Sequence, residues 1–154
     1  MGRLIHEKLS REIIGTAVHV LNEMRPGLDE KLYERAMVIA LQKRGHAIAS
    51  QKEFPVSYDG ELVGNLVLDL IADEKVIVDP KVVAAFNEAH VAQMVGYLTI
   101  TALELALFAE LQGCALGMEA RGVTAKRRIG NSRPSCLATL RDIRVIRGFK
   151  YGFE

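Results

Sequence analysis

The stretch LVLDLIADEKVIVDPKVV, residues 66 to 83, contains two apolar runs joined by a short polar turn, ADEK at 72 to 75. Apolar, β-rich runs on either side of such a turn predict two antiparallel strands. Asp79-Pro80 interrupts the second run, and proline in a sheet is usually confined to edges, bulges and strand ends. Either the strand ends there, or the acid and the following Lys81 are needed at that position.

Each of the two predicted strands carries one aspartate. A carboxylate at Asp69, between Leu68 and Leu70, is costly unless it is paired or bound to a metal. If the turn lies midway, Asp69 and Asp79 are roughly opposite, and cross-strand partners lie about 5 Å apart at Cβ. Two carboxylates that close repel each other unless a cation or a proton intervenes. Lys81 is two residues beyond Asp79 and therefore projects from the same sheet face.

Two acids and an ammonium group on one face predict a Mg²⁺ site for phosphodiester hydrolysis. Hard carboxylate oxygens at Asp69 and Asp79 suit Mg²⁺. The metal would orient and deprotonate water and would neutralise the phosphate. Lys81 would stabilise charge at the phosphorus centre or help to position the nucleophile. The alternative interpretation of the same three residues is a surface ion pair at a strand end.

Two helices are predicted before these strands. Apolar residues from Leu9 to Met24 recur with helical spacing, and Ser10 is the predicted N-cap. Pro26-Gly27 should end this helix. A second helix is predicted from about Asp29 to Arg44, with acidic residues at its start, basic residues at its end and Gly45 as its stop.

Beyond the helices, the hairpin signal Asp59-Gly60 adds a strand, so that three consecutive antiparallel strands are predicted. Residues 87 to 102 return to a helix capped by Asn87, and residues 104 to 111 form a buried strand. GVTAKRRI (122 to 129) and LRDIRVIRGF (140 to 149) could both be strands. This order predicts a single α/β domain, layered in the α+β manner, over residues 1–154.

Composition bounds the class of protein. An apolar fraction of 49% and a charged fraction of 25% are those of a soluble globular protein. No apolar run approaches the roughly 20 residues that span a bilayer, and the start lacks the apolar block of a signal peptide. We therefore expect a cytoplasmic protein without membrane association, with Cys114 and Cys136 reduced and non-catalytic.

The net charge of +1 hides an asymmetry along the chain. Residues 121–154 hold nine basic and two acidic residues, and the first 120 hold 11 basic and 17 acidic residues. A basic C-terminal extension beside an acidic body fits contact with a polyanion, although a solvated tail is the alternative. The candidate nucleic-acid-binding residues are Lys126, Arg127, Arg128, Arg141, Arg144 and Arg147.

Walker A, GxGxxG, GxSxG and HExxH motifs are absent. Two pairs of polar residues nevertheless share helix faces with apolar stripes. Glu30 and Tyr33 are three residues apart, and Gln93 and Tyr97 are four apart. Taken singly, each pair is typical of the boundary of an amphipathic helix.

Taken together, these motifs resemble a known family. PGLDEKLYERA (26 to 36) is similar to the signature of the GxxExxY protein family, which belongs to the PD-(D/E)XK nuclease-like superfamily; the matching residues are Gly27, Glu30 and Tyr33. A strand aspartate, a turn, a strand with acid-x-Lys and a helix with Gln-x-x-x-Tyr follow in the family's order. The resemblance covers roughly residues 9 to 111 and rests on four motifs in sequence.

The resemblance implies a fold and a set of roles. The fold would be a restriction-endonuclease-like core, with a mixed central sheet of about four to five strands flanked by helices. Asp69 and Asp79 would be metal ligands, and Lys81 the catalytic lysine. Glu30 would be a further ligand or would hold water. Gln93 and Tyr97 would line the site and position the phosphate or Lys81, whereas Tyr33 and Gly27 would be structural.

Two departures from the family pattern define the alternatives. The family usually has glutamate where Asp79 stands, and Pro80 occupies an interior strand, where a bulge is expected to re-aim Asp79 and Lys81. The first hypothesis is a Mg²⁺-dependent nuclease (Mn²⁺ substituting) that acts on nucleic acid, DNA in preference to RNA. The second is an inactive relative that binds nucleic acid or a protein. The third is a structural or oligomer-forming domain, and a homodimer is left open.

Overall fold

A computed structural model of the protein describes residues 5–82, 87–110, 120–125 and 143–147. Three helices and six strands occur in these ranges. In chain order they are α1 (Glu7–Met24), α2 (Glu30–Lys43), β1 (Ile48–Tyr58), β2 (Glu61–Ala72), β3 (Val76–Lys81), α3 (Glu88–Thr101), β4 (Leu105–Glu110), β5 (Ala120–Ala125) and β6 (Ile143–Arg147). The two N-terminal helices and the α/β layered architecture are as predicted.

The strands form one mixed sheet in the order β1-β2-β3-β4-β5-β6. Neighbouring strands are antiparallel except for β3 and β4, which are parallel and are joined through α3. A helix is the usual crossover between parallel neighbours, because a short turn cannot return the chain to the same end of the sheet. The sheet is larger than the four to five strands expected, since β5 and β6 both extend it.

The helices cover both faces of the sheet. Alternate residues along a strand point to opposite faces, so the central strands supply two apolar clusters. In one cluster, α1 and α2 pack against residues such as Leu70, Val78 and Leu107. In the other, α3 packs against Ile71, Ile77 and Phe108. The strands that carry the predicted site are thus held between helices on both sides.

The start of α1 differs from the prediction. The helix begins at Glu7 after His6, so the prediction of Ser10 as its N-cap is wrong. Ser10 is buried within the first turns, and its hydroxyl donates a hydrogen bond of 3.0 Å to the His6 carbonyl oxygen. The charged residues before Leu9 extend the helix because Glu7 suits its positive end.

The predicted limits of α2 are confirmed. Its N-cap Asp29 accepts a hydrogen bond of 2.9 Å from the Lys31 amide, and Gly45 follows the helix with a φ of 90°. The loop before α2 is held by Tyr33, which is fully buried. Its hydroxyl donates to the Arg25 carbonyl oxygen and accepts from the Leu28 amide. Tyr33 is therefore structural, as the sequence analysis expected.

The strand predictions also hold. Asp59 and Gly60 have φ values of 50° and 82°, the left-handed pair that a type I′ hairpin requires. The β1 and β2 strands pair from Ile48–Ala72 to Tyr58–Glu61, with no pair at Gln51 and a register shift between Val56 and Ser57. The β2 and β3 strands share only the three pairs from Leu70–Val78 to Ala72–Val76. Most of the β1–β2 hairpin therefore extends beyond β3.

The Asn87 cap of α3 is confirmed, with its side chain accepting from the His90 amide at 3.1 Å.

Both cysteines, Cys114 and Cys136, lie outside the described residues. Among the helices that the structure describes, none is long and apolar enough to cross a membrane.

Candidate active site

The β2 and β3 strands separate at the two aspartates. Leu70 and Val78 form the last pair of their ladder, and one further step in the same register places Asp69 opposite Asp79. The expectation that the two residues fall roughly opposite each other is therefore confirmed. Because like charges repel, two facing carboxylates are a physical reason for the ladder to end at this point.

Strand β3 continues through Pro80 without a bulge. Its parallel register with β4 runs one residue for one residue, through Asp79–Phe108 and Pro80–Ala109 to Lys81–Glu110. The predicted bulge is therefore wrong. Pro80 lies beyond the last β2–β3 pair, so among the strands that the structure describes β3 pairs there with β4 alone, and a strand free on one side tolerates the missing N–H. Asp79 and Lys81 keep the two-residue spacing that puts both on one face.

Asp79 is the most unusual group of the site. The residue is 2% exposed, and its Oδ1 lies 3.1 Å from the Lys81 ammonium. The angles of that ion pair fall short of a hydrogen bond, and among the described residues neither carboxylate oxygen has a donor. Burial raises the pKa of Asp79 to about 6, with smaller contributions from the Asp69 and Glu30 charges, while Lys81 opposes the rise. Such a carboxylate is poorly satisfied by the protein alone.

Lys81 connects β3 to α2. Its ammonium lies 3.7 Å from Glu30 Oε1, and Glu30 Oε2 accepts a hydrogen bond of 3.2 Å from the Val82 amide. Burial lowers the pKa of Lys81, but the charges of Asp79 and Glu30 more than offset that effect, so the pKa lies above its ordinary value. The lysine is therefore a cation at neutral pH, held between two carboxylates.

The α3 pair is linked to the same carboxylate through Tyr97, which feels the charge of Asp79. Gln93 donates a hydrogen bond to the Tyr97 hydroxyl one turn away, as their spacing predicted. Burial raises the pKa of Tyr97, and so does the negative charge of Asp79. Tyr97 therefore remains a neutral hydroxyl at neutral pH, within the electrostatic reach of Asp79.

Asp69 contacts two residues that were not predicted for the site, and both of them also contact a third, Glu34. Gln51 Nε2 donates to Asp69 Oδ1 at 3.1 Å, and the Lys31 ammonium lies 3.7 Å from the same oxygen. Both groups also bind Glu34, which is buried. Glu34 is four residues after Glu30, and this helical spacing is the signal that could have found it. Gln51 lies opposite Asp69 in the β1–β2 register, since Ser50 pairs with Leu70 and Lys52 with Leu68. The hairpin turn alone would put Ser50 there, and the register shift between Val56 and Ser57 brings Gln51 to that position.

The residues present suit a divalent cation by their chemistry. Among the described residues, four carboxylates (Glu30, Glu34, Asp69 and Asp79) lie near two ammonium groups (Lys31 and Lys81), so their charges sum to two negative charges. In this part of the chain neither buried oxygen of Asp79 has a hydrogen-bond donor, and oxygen ligands are those that Mg²⁺ takes. Within the described residues no three His, Cys, Asp or Glu side chains are gathered closely enough to hold a metal. The Lys81 ammonium lies between two of the carboxylates, 3.1 Å from Asp79 and 3.7 Å from Glu30.

The predicted nucleic-acid-binding residues are only partly placed. Lys126, Arg127, Arg128 and Arg141 lie outside the described residues. Arg144 and Arg147 belong to β6, where they pair with Thr124 and Arg121 of β5. Their role in binding nucleic acid stays a prediction.

Comparison with known proteins identifies the family of this chain. The family model described as the PD-(D/E)XK nuclease superfamily matches residues 7–119, well over half of the chain. No curated protein and no solved structure gives a match. The matched range contains every element of the site, from α2 through β2 and β3 to α3. The chain therefore belongs to the PD-(D/E)XK nuclease superfamily.

Proposed function

We propose that this protein is a Mg²⁺-dependent nuclease of the GxxExxY type, with Mn²⁺ as a substitute, that hydrolyses phosphodiester bonds of DNA in preference to RNA. One observation carries the proposal. Asp79 is a buried carboxylate with no hydrogen-bond donor among the described residues, and it lies 3.1 Å from the Lys81 ammonium. An acid of this kind is stable in a fold when a cation completes its environment.

The residues divide into those that would hold the metal and those that would act on the substrate. Asp79, Asp69 and Glu30 would hold it by carboxylate oxygens. When bound, the metal would activate water and neutralise charge on the phosphate. Lys81 would donate to a phosphate oxygen and stabilise the charge that develops there. Gln93 and the neutral Tyr97 hydroxyl would hold the phosphate or Lys81 in place, since Tyr97 lies within the electrostatic reach of Asp79 and Lys81 and Gln93 donates to its hydroxyl.

Membership of a nuclease superfamily supports a nucleic-acid partner. The surplus of basic residues in 121–154 supports the same partner, because lysine and arginine contacts to phosphates supply most of the affinity in such complexes. Binding should therefore weaken steeply as the salt concentration rises.

The test is cleavage of single- and double-stranded DNA and RNA with Mg²⁺ or Mn²⁺. We expect the wild type to cleave and Asp79→Asn and Lys81→Met to lose about 100-fold or more in rate. Lys43→Met is the matched control, because Lys43 is exposed at the far end of α2. If the wild type leaves all four substrates intact in either metal, the proposal fails.

A second function is favoured by a separate observation. Ammonium groups lie among the carboxylates, and the part of the chain that the structure describes gathers no three metal-ligating side chains. This arrangement fits a catalytically inactive relative that binds nucleic acid or a protein. Calorimetric titration with Mn²⁺ separates the two: binding that is abolished by Asp79→Asn supports the nuclease, and salt-sensitive DNA binding without Mn²⁺ binding supports the inactive relative.

A further inference from the structure

Gln51 has a backbone conformation that its position in the fold does not explain. Its φ is 53°, in the left-handed region that residues with a Cβ rarely adopt. Among the described residues, the other non-glycine positions of this kind lie at helix ends or in turns, whereas Gln51 lies inside β1. Its neighbours Ser50 and Lys52 still pair in register with Leu70 and Leu68. The distortion is therefore confined to one residue and is not a hairpin turn or an inserted bulge residue.

The Gln51 side chain shows what the distortion achieves. Its Nε2 donates to Glu34 Oε1 at 2.8 Å and to Asp69 Oδ1 at 3.1 Å. An amide nitrogen carries two N–H donors, so it can serve both carboxylates at once. A glutamate at this position would instead add a third carboxylate and repel the other two. The contacts therefore require an amide group at this point of β1.

Glu34 anchors the amide from the helix side. It is 6% exposed, and its second oxygen lies 2.8 Å from the Lys31 ammonium, so both oxygens have partners. Glu30, one turn earlier on α2, contacts β3 through Lys81 and the Val82 amide. Two carboxylates of one helix thus hold the two strands that diverge at the site, β3 directly and β2 through Gln51.

Asp69 needs such a support because it has lost one neighbour. The β2–β3 ladder ends at Leu70, so no strand pairing holds β2 against β3 at Asp69. The facing Asp79 carboxylate repels it. The Asp69 side chain is 29% exposed, so burial alone does not fix its direction.

We propose that Gln51 is a positioning residue: anchored by Glu34, its amide holds the Asp69 carboxylate facing Asp79 where β2 leaves β3. Functional sites are where a strained backbone residue is retained when its side chain serves the chemistry. The expected change in Mn²⁺ affinity rests on the proposed function, whereas the effect of Gln51 on the Asp69 side chain does not. Partners that orient a ligand typically change metal affinity about 10- to 100-fold when they are removed.

The test compares two glycine substitutions in β1. Gln51→Gly removes the amide and its hydrogen bond to the buried Glu34, but glycine suits a φ of 53° and relieves the backbone strain, so the fold should be retained. Lys52→Gly is the control, because it adds a glycine to the same strand without touching Asp69 and should lower the melting temperature. In both variants the side-chain rotamer of Asp69 is read from NMR three-bond couplings in metal-free protein, and Mn²⁺ affinity is read by calorimetry.

We expect a single Asp69 rotamer in the wild type and in Lys52→Gly, and averaging over several rotamers in Gln51→Gly. We also expect Gln51→Gly to bind Mn²⁺ at least about 10-fold more weakly. A single unchanged Asp69 rotamer in Gln51→Gly would overturn the inference. If wild-type protein binds no Mn²⁺, the proposed function fails, while the rotamer measurement still decides the role of Gln51.

Discussion

The Lys81 ammonium lies 3.1 Å from the buried Asp79 carboxylate, although Pro80 stands between the two residues in β3. The strand stays regular there, so residues two apart project from one face and can meet. Lysine alone does not complete the environment of Asp79, because among the described residues neither of its oxygens accepts a hydrogen bond. The pair is therefore an incomplete charge arrangement that suits an additional cation.

Asp79→Asn should change how stability depends on pH. The folded-state pKa of Asp79 is raised from 3.8 to about 6, so between these values the folded protein binds a proton that the unfolded chain has lost. Wild-type stability should therefore fall as the pH rises from about 4 to 6, and the asparagine variant should lack this fall. Over that range the unfolding free energy of the wild type should fall by about 3 kcal/mol relative to that of Asp79→Asn.

Urea unfolding in EDTA at several pH values measures this difference. Asp59→Asn is the control, because Asp59 is in an exposed hairpin turn and Asn-Gly suits the same turn. If the unfolding free energy depends on pH equally in the wild type and in Asp79→Asn, Asp79 is not held in a desolvated environment.

His46 should give a second pH dependence in a different range. Its ring lies 2.6 Å from Glu12 and 2.9 Å from Asp73, and thereby links α1 to the turn after β2. The hydrogen bond to Asp73 raises the pKa of His46 above 6.5, with a smaller contribution from Glu12 and against the effect of burial. The stabilisation is fully present below pH 6.5 and is lost as the pH rises through the folded-state pKa.

His46→Gln should therefore remove the decline in melting temperature above pH 6.5. The separate decline between pH 4 and 6, which we assign to Asp79, should remain in this variant. His19→Gln serves as the control, since the ring of His19 is half exposed on α1. If the melting temperature of His46→Gln still declines above pH 6.5, another group is responsible for the decline.

Tyr33→Phe should affect folding without affecting the metal. The substitution leaves the Arg25 carbonyl and the Leu28 amide without the hydroxyl that binds both, at a fully buried residue. Loss of such a partner costs about 1–3 kcal/mol of unfolding free energy. Denaturant unfolding should show this loss, whereas calorimetry should give a Mn²⁺ affinity equal to that of the wild type. A weakened Mn²⁺ affinity would place Tyr33 in the site.

Pro80→Ala should retain both fold and activity. Pro80 lies where β3 no longer pairs with β2, so the substitution restores no ladder bond to that strand and removes only the rigidity of proline. Its main effect is to give the unfolded chain more conformational freedom, which should lower the free energy of unfolding by about 0.4–1 kcal/mol. Thermal unfolding and the nuclease assay together check this prediction. A loss of activity at unchanged stability would show that proline itself shapes the site.

The order of helices and strands could be predicted from sequence because local rules decide it. Asp59-Gly60 specifies its hairpin through left-handed backbone angles, and Asp29 and Asn87 cap their helices with side chains that reach the next amides. The start of α1 was misjudged because Ser10 can bond either a following amide or a preceding carbonyl.

Only those residues of the candidate site that are related by regular spacing within a helix or a hairpin could be predicted from the sequence. Asp69, Asp79 and Lys81 follow from strand alternation about a short turn, and Gln93 with Tyr97 from helical spacing. Tertiary structure decided the rest. The parallel pairing with β4 keeps β3 regular through Pro80. The β1–β2 register, with its shift between Val56 and Ser57, places Gln51 opposite Asp69, and the packing of α2 against β1 brings Glu34 to the same amide. These contacts join residues far apart in the chain, and no local pattern encodes a contact that depends on how separate elements pack.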